Sequence, residues 1–247
     1  MTDTKTAVVT GGSRGIGSAI AQALAADGWQ VAVVYHTGRV QAKALAAQLA
    51  AQYGVAAAAY GCDIADSAQV TELFQQVHAQ LGEISLLVNN AGIAATGLFQ
   101  DLTEEAWDRL FAVDVKGVFL CSRAVLPEMI RNQQGSIINL SSIWGITGAS
   151  CEVAYSAAKA AVIGMTKALA KEAGPSHIRV NCVAPGVVAT EMNRQLSPDD
   201  LAALCEETPL GRIGQPEEIA AAVAWLASEK AGFVTGQVLS PNGGMVI

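Results

Sequence analysis

Tyr155 and Lys159 stand four residues apart in Ala154-Tyr155-Ser156-Ala157-Ala158-Lys159, a stretch rich enough in alanine to form a helix. At that spacing both side chains share one helix face, where an ammonium can stabilise a phenolate. A free tyrosine titrates near ~10. A lowered value would let Tyr155 exchange a proton near neutrality, which is the work of a general acid or base. Ser142 follows the strand-like run Gly135–Leu140, and its hydroxyl could hydrogen-bond a substrate carbonyl. Ordinary surface helices also carry Tyr and Lys in this way, and ordinary turns carry Ser. A second motif decides in favour of chemistry.

That motif is Thr10-Gly11-Gly12-Ser13-Arg14-Gly15-Ile16-Gly17, between an apolar run and an amphipathic segment. Plain strand-to-helix turns use glycine too. At the first strand–helix junction, however, glycines let the backbone approach a pyrophosphate whose charge meets the free N–H groups of the helix. The spacing is G-x-x-x-G-x-G, which differs from the commoner dinucleotide fingerprint G-x-G-x-x-G. After the second strand the chain reads Val34-Tyr35-His36-Thr37-Gly38-Arg39, and no Asp or Glu occurs between Asp27 and Asp63. An acid there would accept hydrogen bonds from the ribose 2′-hydroxyl of NAD. Arg14 and Arg39 could instead pair with a 2′-phosphate. NADPH is therefore expected over NADH, with Arg14 better placed than Arg39.

Val- and Ile-rich runs alternate with Ala-rich stretches, the pattern of βαβ units. Strands are expected at Thr6–Thr10, Gln30–Tyr35, Ala56–Gly61, Leu86–Asn89, Gly135–Leu140, Ile178–Ala184 and Gln237–Leu239. Helices are expected at Gly15–Asp27, Val40–Tyr53, Ser67–Leu81, Thr103–Val113, Gly117–Asn132, Ala154–Ala173 and Pro216–Ser228. Runs such as VAVV are apolar on both faces, so helices should cover both sides of a doubly wound parallel sheet of seven strands. Ligands in such sheets bind beyond the carboxyl ends of the strands. These elements use nearly all of residues 1–247, which predicts one α/β domain. The polar segment 187–212, with Pro198 and Pro209, breaks the rhythm and is expected to be a substrate lid.

Composition narrows the classes further. Of 247 residues 51% are apolar and 15% charged, with mean hydropathy +0.34, which excludes a disordered chain or a coiled coil. The net charge is −7 and no Lys/Arg cluster occurs, so nucleic acid is not an expected partner. Cys62, Cys121, Cys151, Cys182 and Cys205 are scattered and odd in number, as reduced thiols in the cytoplasm would be. His36, His78 and His177 lack metal-ligand spacing, so no metal is expected and solvent-facing histidines are. The start MTDTKTAVVTGG has no basic n-region, so a leader is not expected, and no apolar run reaches the ~18 residues needed for a membrane span.

With these motifs in place the chain resembles the short-chain dehydrogenase/reductase family over about 240 residues. Thr10–Gly17 matches the family's glycine loop, and Asn89-Asn90-Ala91-Gly92 its NNAG. Ser142 with Tyr155-x-x-x-Lys159 matches the catalytic set, and Pro185-Gly186 with Thr190 the PG…T segment. The resemblance implies a Rossmann-type fold and hydride exchange between NAD(P)H and a carbonyl carbon. Tyr155 would supply the proton, and Lys159 would also bind the nicotinamide ribose. It places Asn90 on the adenosine side of the cleft, Asp63 at the adenine, and Thr190 with the Val188 backbone at the carboxamide. The cofactor-facing set is then Gly11, Ser13, Arg14, Gly15, Ile16 and Gly17, with His36, Arg39, Asp63, Asn90, Ala91 and Gly92. Pro185, Gly186, Val188, Thr190, Tyr155 and Lys159 complete it. In Val113-Asp114-Val115-Lys116-Gly117, Asp114 stands where the family has a fourth catalytic residue, an Asn that organises a water next to the Lys.

Within the family the chain is most similar to the 3-oxoacyl-[acyl-carrier-protein] reductase branch, through Leu210-Gly211-Arg212 and Pro241-Asn242-Gly243-Gly244-Met245. Carrier-protein reductases present basic residues to an acidic partner. The corresponding places here hold Gln133 and Ser176, with Arg131 and Lys171 nearby, and the net charge of −7 does not favour docking. Three readings follow: an NADPH-dependent 3-oxoacyl thioester reductase, with carrier protein or coenzyme A as the handle; a reductase of a small free ketone or alcohol such as a sugar, steroid or diketone; and a cofactor-binding protein without turnover. Similar proteins pair the helices at 117–132 and 154–173 across a two-fold axis, with a second interface near the last strand, which implies a homotetramer.

Overall fold

The computed structural model describes residues 5–191 and 197–247. Seven strands, β1 (Thr6–Thr10), β2 (Gln30–Tyr35), β3 (Ala57–Gly61), β4 (Ile84–Asn89), β5 (Gly135–Leu140), β6 (Ile178–Val183) and β7 (Val238–Leu239), form a single parallel sheet in the order β3-β2-β1-β4-β5-β6-β7. The strand order reverses between β1 and β4, and a crevice opens beyond their carboxyl ends. The single-domain, doubly wound α/β architecture is the expected one.

Side-chain alternation along the strands builds the two layers. In β1, Ala7 and Val9 pack toward α1 (Gly15–Ala26), α2 (Arg39–Tyr53) and α9 (Pro216–Ala227). Val8 packs toward α3 (Ser67–Leu81), α5 (Gly117–Asn132) and α7 (Val153–Ala173). Fully buried residues such as Ile20, Leu24 and Leu87 each contribute roughly 1.5–3 kcal/mol. The sheet faces thus carry the stability, and the loops beyond the strand ends are left to carry chemistry.

Capping residues fix where helices begin. The Asp66 carboxylate accepts from the N–H groups of Ala68 and Gln69 at 2.8 and 3.2 Å and starts α3. Thr103 does the same for Ala106 at 3.2 Å and starts α4 (Glu104–Phe111). No side chain caps α1.

Three local features differ from the sequence expectations. The helix expected over Thr103–Val113 stops at Phe111, and Ala112–Lys116 form a π turn leading directly into α5. Such turns carry an extra residue per turn; Asp114 lies within this one and is wholly buried. A short helix, α6 (Trp144–Thr147), follows Ser142. Within the segment 187–212, α8 (Pro198–Glu207) forms on a capping box: the Ser197 hydroxyl accepts from Asp200 N–H at 3.1 Å, and the Asp200 carboxylate accepts from Ser197 N–H at 3.0 Å. Residues 192–196 of that segment lie outside the described residues. Other boundaries differ by one or two residues. No helix among the described residues is long and apolar enough to cross a membrane.

Candidate active site

The glycine loop is held from below by the end of β4. Asn90 Nδ2 donates to the carbonyls of Thr10 and Gly11 at 2.9 and 3.1 Å. The N–H groups of Asn90 and Ala91 both donate to Thr10 Oγ1 at 3.0 Å. Both amide hydrogens of Asn90 are thereby committed to the loop, so Asn90 acts as a strut as well as lining the cleft. Gly11 and Gly15 take positive φ values of 64° and 53° that L side chains rarely adopt. A Cβ at Gly17 would overlap the Gly11 carbonyl and the Asn90 amide.

Beneath the strut lies a buried polar chain. Asn89 Nδ2 donates to Ser122 Oγ at 3.1 Å and to Asn139 Oδ1 at 2.9 Å, and Asn139 Nδ2 donates to Thr166 Oγ1 at 2.9 Å. It ties β4, β5, α5 and α7 together.

Tyr155 and Lys159 sit on α7 as expected, with the Lys159 Nζ 5.4 Å from the centroid of the Tyr155 ring. Ser141 Oγ donates to the Lys159 carbonyl at 2.8 Å and anchors this turn to the end of β5. Lys159 Nζ donates to the Leu140 carbonyl at 3.3 Å and pairs with Asp114 Oδ2 at 2.9 Å. The other Asp114 oxygen accepts from Ile93 N–H at 2.8 Å. Ser142 Oγ accepts from Trp144 N–H at 3.2 Å, which leaves its O–H for another partner. Gly92 admits the ion pair, since a Cβ there would lie 2.7 Å from Asp114 Oδ2 and 3.1 Å from Lys159 Nζ.

Burial acts against the Lys159 ammonium, but the Asp114 carboxylate and the Tyr155 oxygen outweigh it and raise its pKa. Lys159 stays charged. For Tyr155 the net direction is upward, opposite to the lowering its spacing from Lys159 suggests. Burial is the largest cause. Lys159 pulls the value down, Asp114 and Glu152 push it up, and a hydrogen bond with Ser142 lowers it.

At the opposite end of the cleft, Arg14 donates to Thr37 Oγ1 at 3.1 Å and pairs with Glu191 at 3.2 Å. Asp63 pairs with Arg109 at 3.0 Å and lies 3.9 Å from His36 Nε2. Partial burial works against the Asp63 carboxylate, but Ala65 N–H at 3.0 Å and the Arg109 guanidinium hold its pKa below the usual carboxylate range.

One cavity of about 310 Å³ unites most of the expected set: Gly11, Ser13, Arg14, Gly15, Ile16, Gly17, His36, Asp63, Asn90, Ala91, Gly92, Tyr155, Lys159, Pro185 and Thr190. Ser142 and Asp114 are buried beside it rather than lining it. Arg39 does not line it; as the first residue of α2 it is exposed. Gly186 packs against Asn242, where a Cβ would come within 2.8 Å of the Asn242 Cα. Val188 is buried where the chain pairs with Gly214.

A family model described as enoyl-(acyl carrier protein) reductase matches residues 11–246. The chain is 43% identical over 241 residues, 98% of each chain, to the 3-oxoacyl-[acyl-carrier-protein] reductase FabG of Staphylococcus epidermidis. The chain belongs to the short-chain dehydrogenase/reductase family. Its identity to FabG of Aquifex aeolicus is 41% over 241 residues, covering 98% of this chain and 97% of the relative. To the uncharacterized oxidoreductase YmfI of Bacillus subtilis it is 42% over 240 residues, 97% and 98%. As a short-chain dehydrogenase/reductase it is an oxidoreductase of CH–OH or ketone groups, working with a nicotinamide dinucleotide.

Sequence reasoning missed two charged residues of this short-chain dehydrogenase/reductase cleft, Arg109 and Glu191. No spacing rule ties an Arg on α4 to an Asp after β3. Glu191 directly follows Thr190, and only the folded loop shows that it meets Arg14.

Proposed function

We propose that the protein reduces a 3-oxoacyl thioester to the 3-hydroxyacyl thioester with NADPH. The observation that carries this reading is that Tyr155 and Lys159 line one cavity with the glycine loop, while Ser142, buried beside it, is hydrogen-bonded to Tyr155. The names of the relatives from S. epidermidis and A. aeolicus point to the substrate class.

The residues present fit the dinucleotide. α1 has neither a capping side chain nor an acid in its first turn, so its free N–H groups are available to a pyrophosphate. Arg14 would meet a 2′-phosphate, Asp63 and Asn90 would flank the adenosine, and Lys159 would hold the nicotinamide ribose. The bound nicotinamide supplies the hydride. Ser142 orients the carbonyl by donating its O–H, and Tyr155 passes its phenolic proton to the carbonyl oxygen. Lys159 offsets part of the negative charge left on Tyr155, and Asp114 opposes this. The described part of the segment that carries α8 would cover the substrate.

NADPH oxidation assayed with acetoacetyl-coenzyme A, an acetoacetyl carrier protein and free ketones tests this directly. Turnover of a thioester but not of free ketones is expected. The reverse would establish the free-ketone reading, and no turnover of any of them would leave a binding protein. Arg14→Ala should raise KM for NADPH about tenfold, the value of a charge-assisted hydrogen bond, and leave KM for NADH nearly unchanged. Equal effects on both would remove Arg14 from the 2′-phosphate site.

We infer that the protein assembles as a homotetramer of dihedral symmetry. Phe119 on α5 and Val153 at the start of α7 are exposed, as are Phe233 and Leu239 beside and within β7. These apolar side chains lie on the helices and the strand expected to form the two interfaces. Light scattering in dilute solution should give four times the 25.4 kDa chain mass. A fully active monomer would overturn this.

A further inference from the structure

Asp114 occupies a position where an asparagine would serve the same backbone contact. Its Oδ1 accepts from Ile93 N–H at 2.8 Å, as an amide oxygen also could. Its Oδ2 faces Lys159 Nζ at 2.9 Å and meets no hydrogen-bond donor besides it among the described residues. An asparagine in this orientation would turn an NH₂ toward an ammonium, donor against donor. The aspartate instead makes a wholly buried ion pair, both partners nearly without solvent contact.

A lone buried ammonium beside Tyr155 favours the phenolate; an ammonium already paired with a carboxylate does so far less. The other groups facing this pair come from each element packed around it. Ser142 lies after β5, Glu152 precedes α7 and is bonded by Thr96 at 3.3 Å, and Cys182 on β6 faces Lys159. Burial raises the thiol pKa of Cys182 to about 12, and the Ser142 hydroxyl is neutral. Asp114 is therefore the anion that compensates the Lys159 charge within the site.

We propose that Asp114 is a positioning residue that neutralises Lys159 and so keeps Tyr155 in its phenolic, proton-donating form to higher pH, biasing the site toward carbonyl reduction. This rests on the reading of Tyr155 as the general acid. The sign follows from the chemistry. Reduction needs the phenol and fails as pH rises through its titration, whereas alcohol oxidation needs the phenolate and begins there. Removing the Asp114 charge should move both limits to lower pH.

The test titrates the phenolate absorbance of the cofactor-free protein, using the Tyr155→Phe form in each background to isolate Tyr155. In Asp114→Asn the Tyr155 midpoint should fall by about one pH unit or more. The alkaline limb of kcat/KM for ketone reduction should fall with it. Asp114→Ser removes the same charge in a smaller side chain and should move the midpoint in the same direction, so a folding defect in one variant leaves the other decisive. An unmoved midpoint in a folded variant overturns the inference. High activity in Tyr155→Phe would instead overturn the assignment of the acid, a separate result because the titration needs no turnover.

Discussion

Tyr155→Phe should lower kcat for ketone reduction by ~10²-fold or more, the contribution of a positioned general acid, while leaving NADPH affinity nearly intact. The substitution deletes one oxygen. The Tyr155 ring would still pack against Leu110, Ala154 and Ala158, and Lys159 would still be paired with Asp114. Cofactor binding, followed by fluorescence titration, therefore separates loss of the acid from loss of the site. Retention of more than about a tenth of kcat would show that another group delivers the proton. Loss of NADPH affinity in parallel with kcat would show that the hydroxyl organises the cleft rather than acting in the chemistry.

Gly17→Ala should unseat the glycine loop. Alanine suits a helix better than glycine by ~1 kcal/mol, so an exposed site on α1 would gain stability from the change. Here the new methyl would overlap the Gly11 carbonyl and the Asn90 amide, so backbone must move and the two Asn90 hydrogen bonds are strained or lost. Overpacking costs ~1–3 kcal/mol, and losing two hydrogen bonds at ~0.5–1.5 kcal/mol each corresponds to at least about tenfold weaker dinucleotide binding. Gly135→Ala is the control. Its Cβ would meet the buried Met129 side chain from its Cβ to its sulfur, at a site apart from the cleft. It should cost stability without affinity. Unchanged dinucleotide affinity in Gly17→Ala would mean that the loop tolerates displacement.

Tyr155, Lys159 and the glycines were legible in the sequence because their spacing maps onto local geometry, a helix face and a strand-to-helix turn. Pairings across long stretches of chain were not. Arg109 with Asp63 and Asn89 with Asn139 are separated by 46 and 50 residues, and nothing local marks either partner. The π turn was hidden because Ala112–Lys116 reads as ordinary helix, yet it carries the buried Asp114 that pairs with Lys159. The α8 helix carried its own signal in Ser197-Pro198-Asp199-Asp200, but the prolines and polar residues around it favoured a loop. The direction of the Tyr155 pKa shift could not be read from spacing, because burial, its largest cause, comes from tertiary packing.

The polar chain through Asn89 and Asn139 bears on how the sheet finds its alignment. β4 and β5 pair largely through aliphatic side chains, Leu87 and Val88 against Ile137 and Ile138, with Leu86 opposite Ser136. Both faces of these strands are largely buried, so a two-residue slide exchanges one aliphatic contact for another and is penalised less than a one-residue slip that swaps faces. Asn89 opposite Asn139 changes that. In any shifted alignment the two amides lose each other, and each buried amide group left without a partner costs ~1–3 kcal/mol in a dry interior. Asn89 directly precedes the Asn90 strut, and Asn139 lies three residues before Ser142. The amide pair thus works as a proofreading mark for strand alignment, and the alignment it selects brings the glycine-loop support level with the serine.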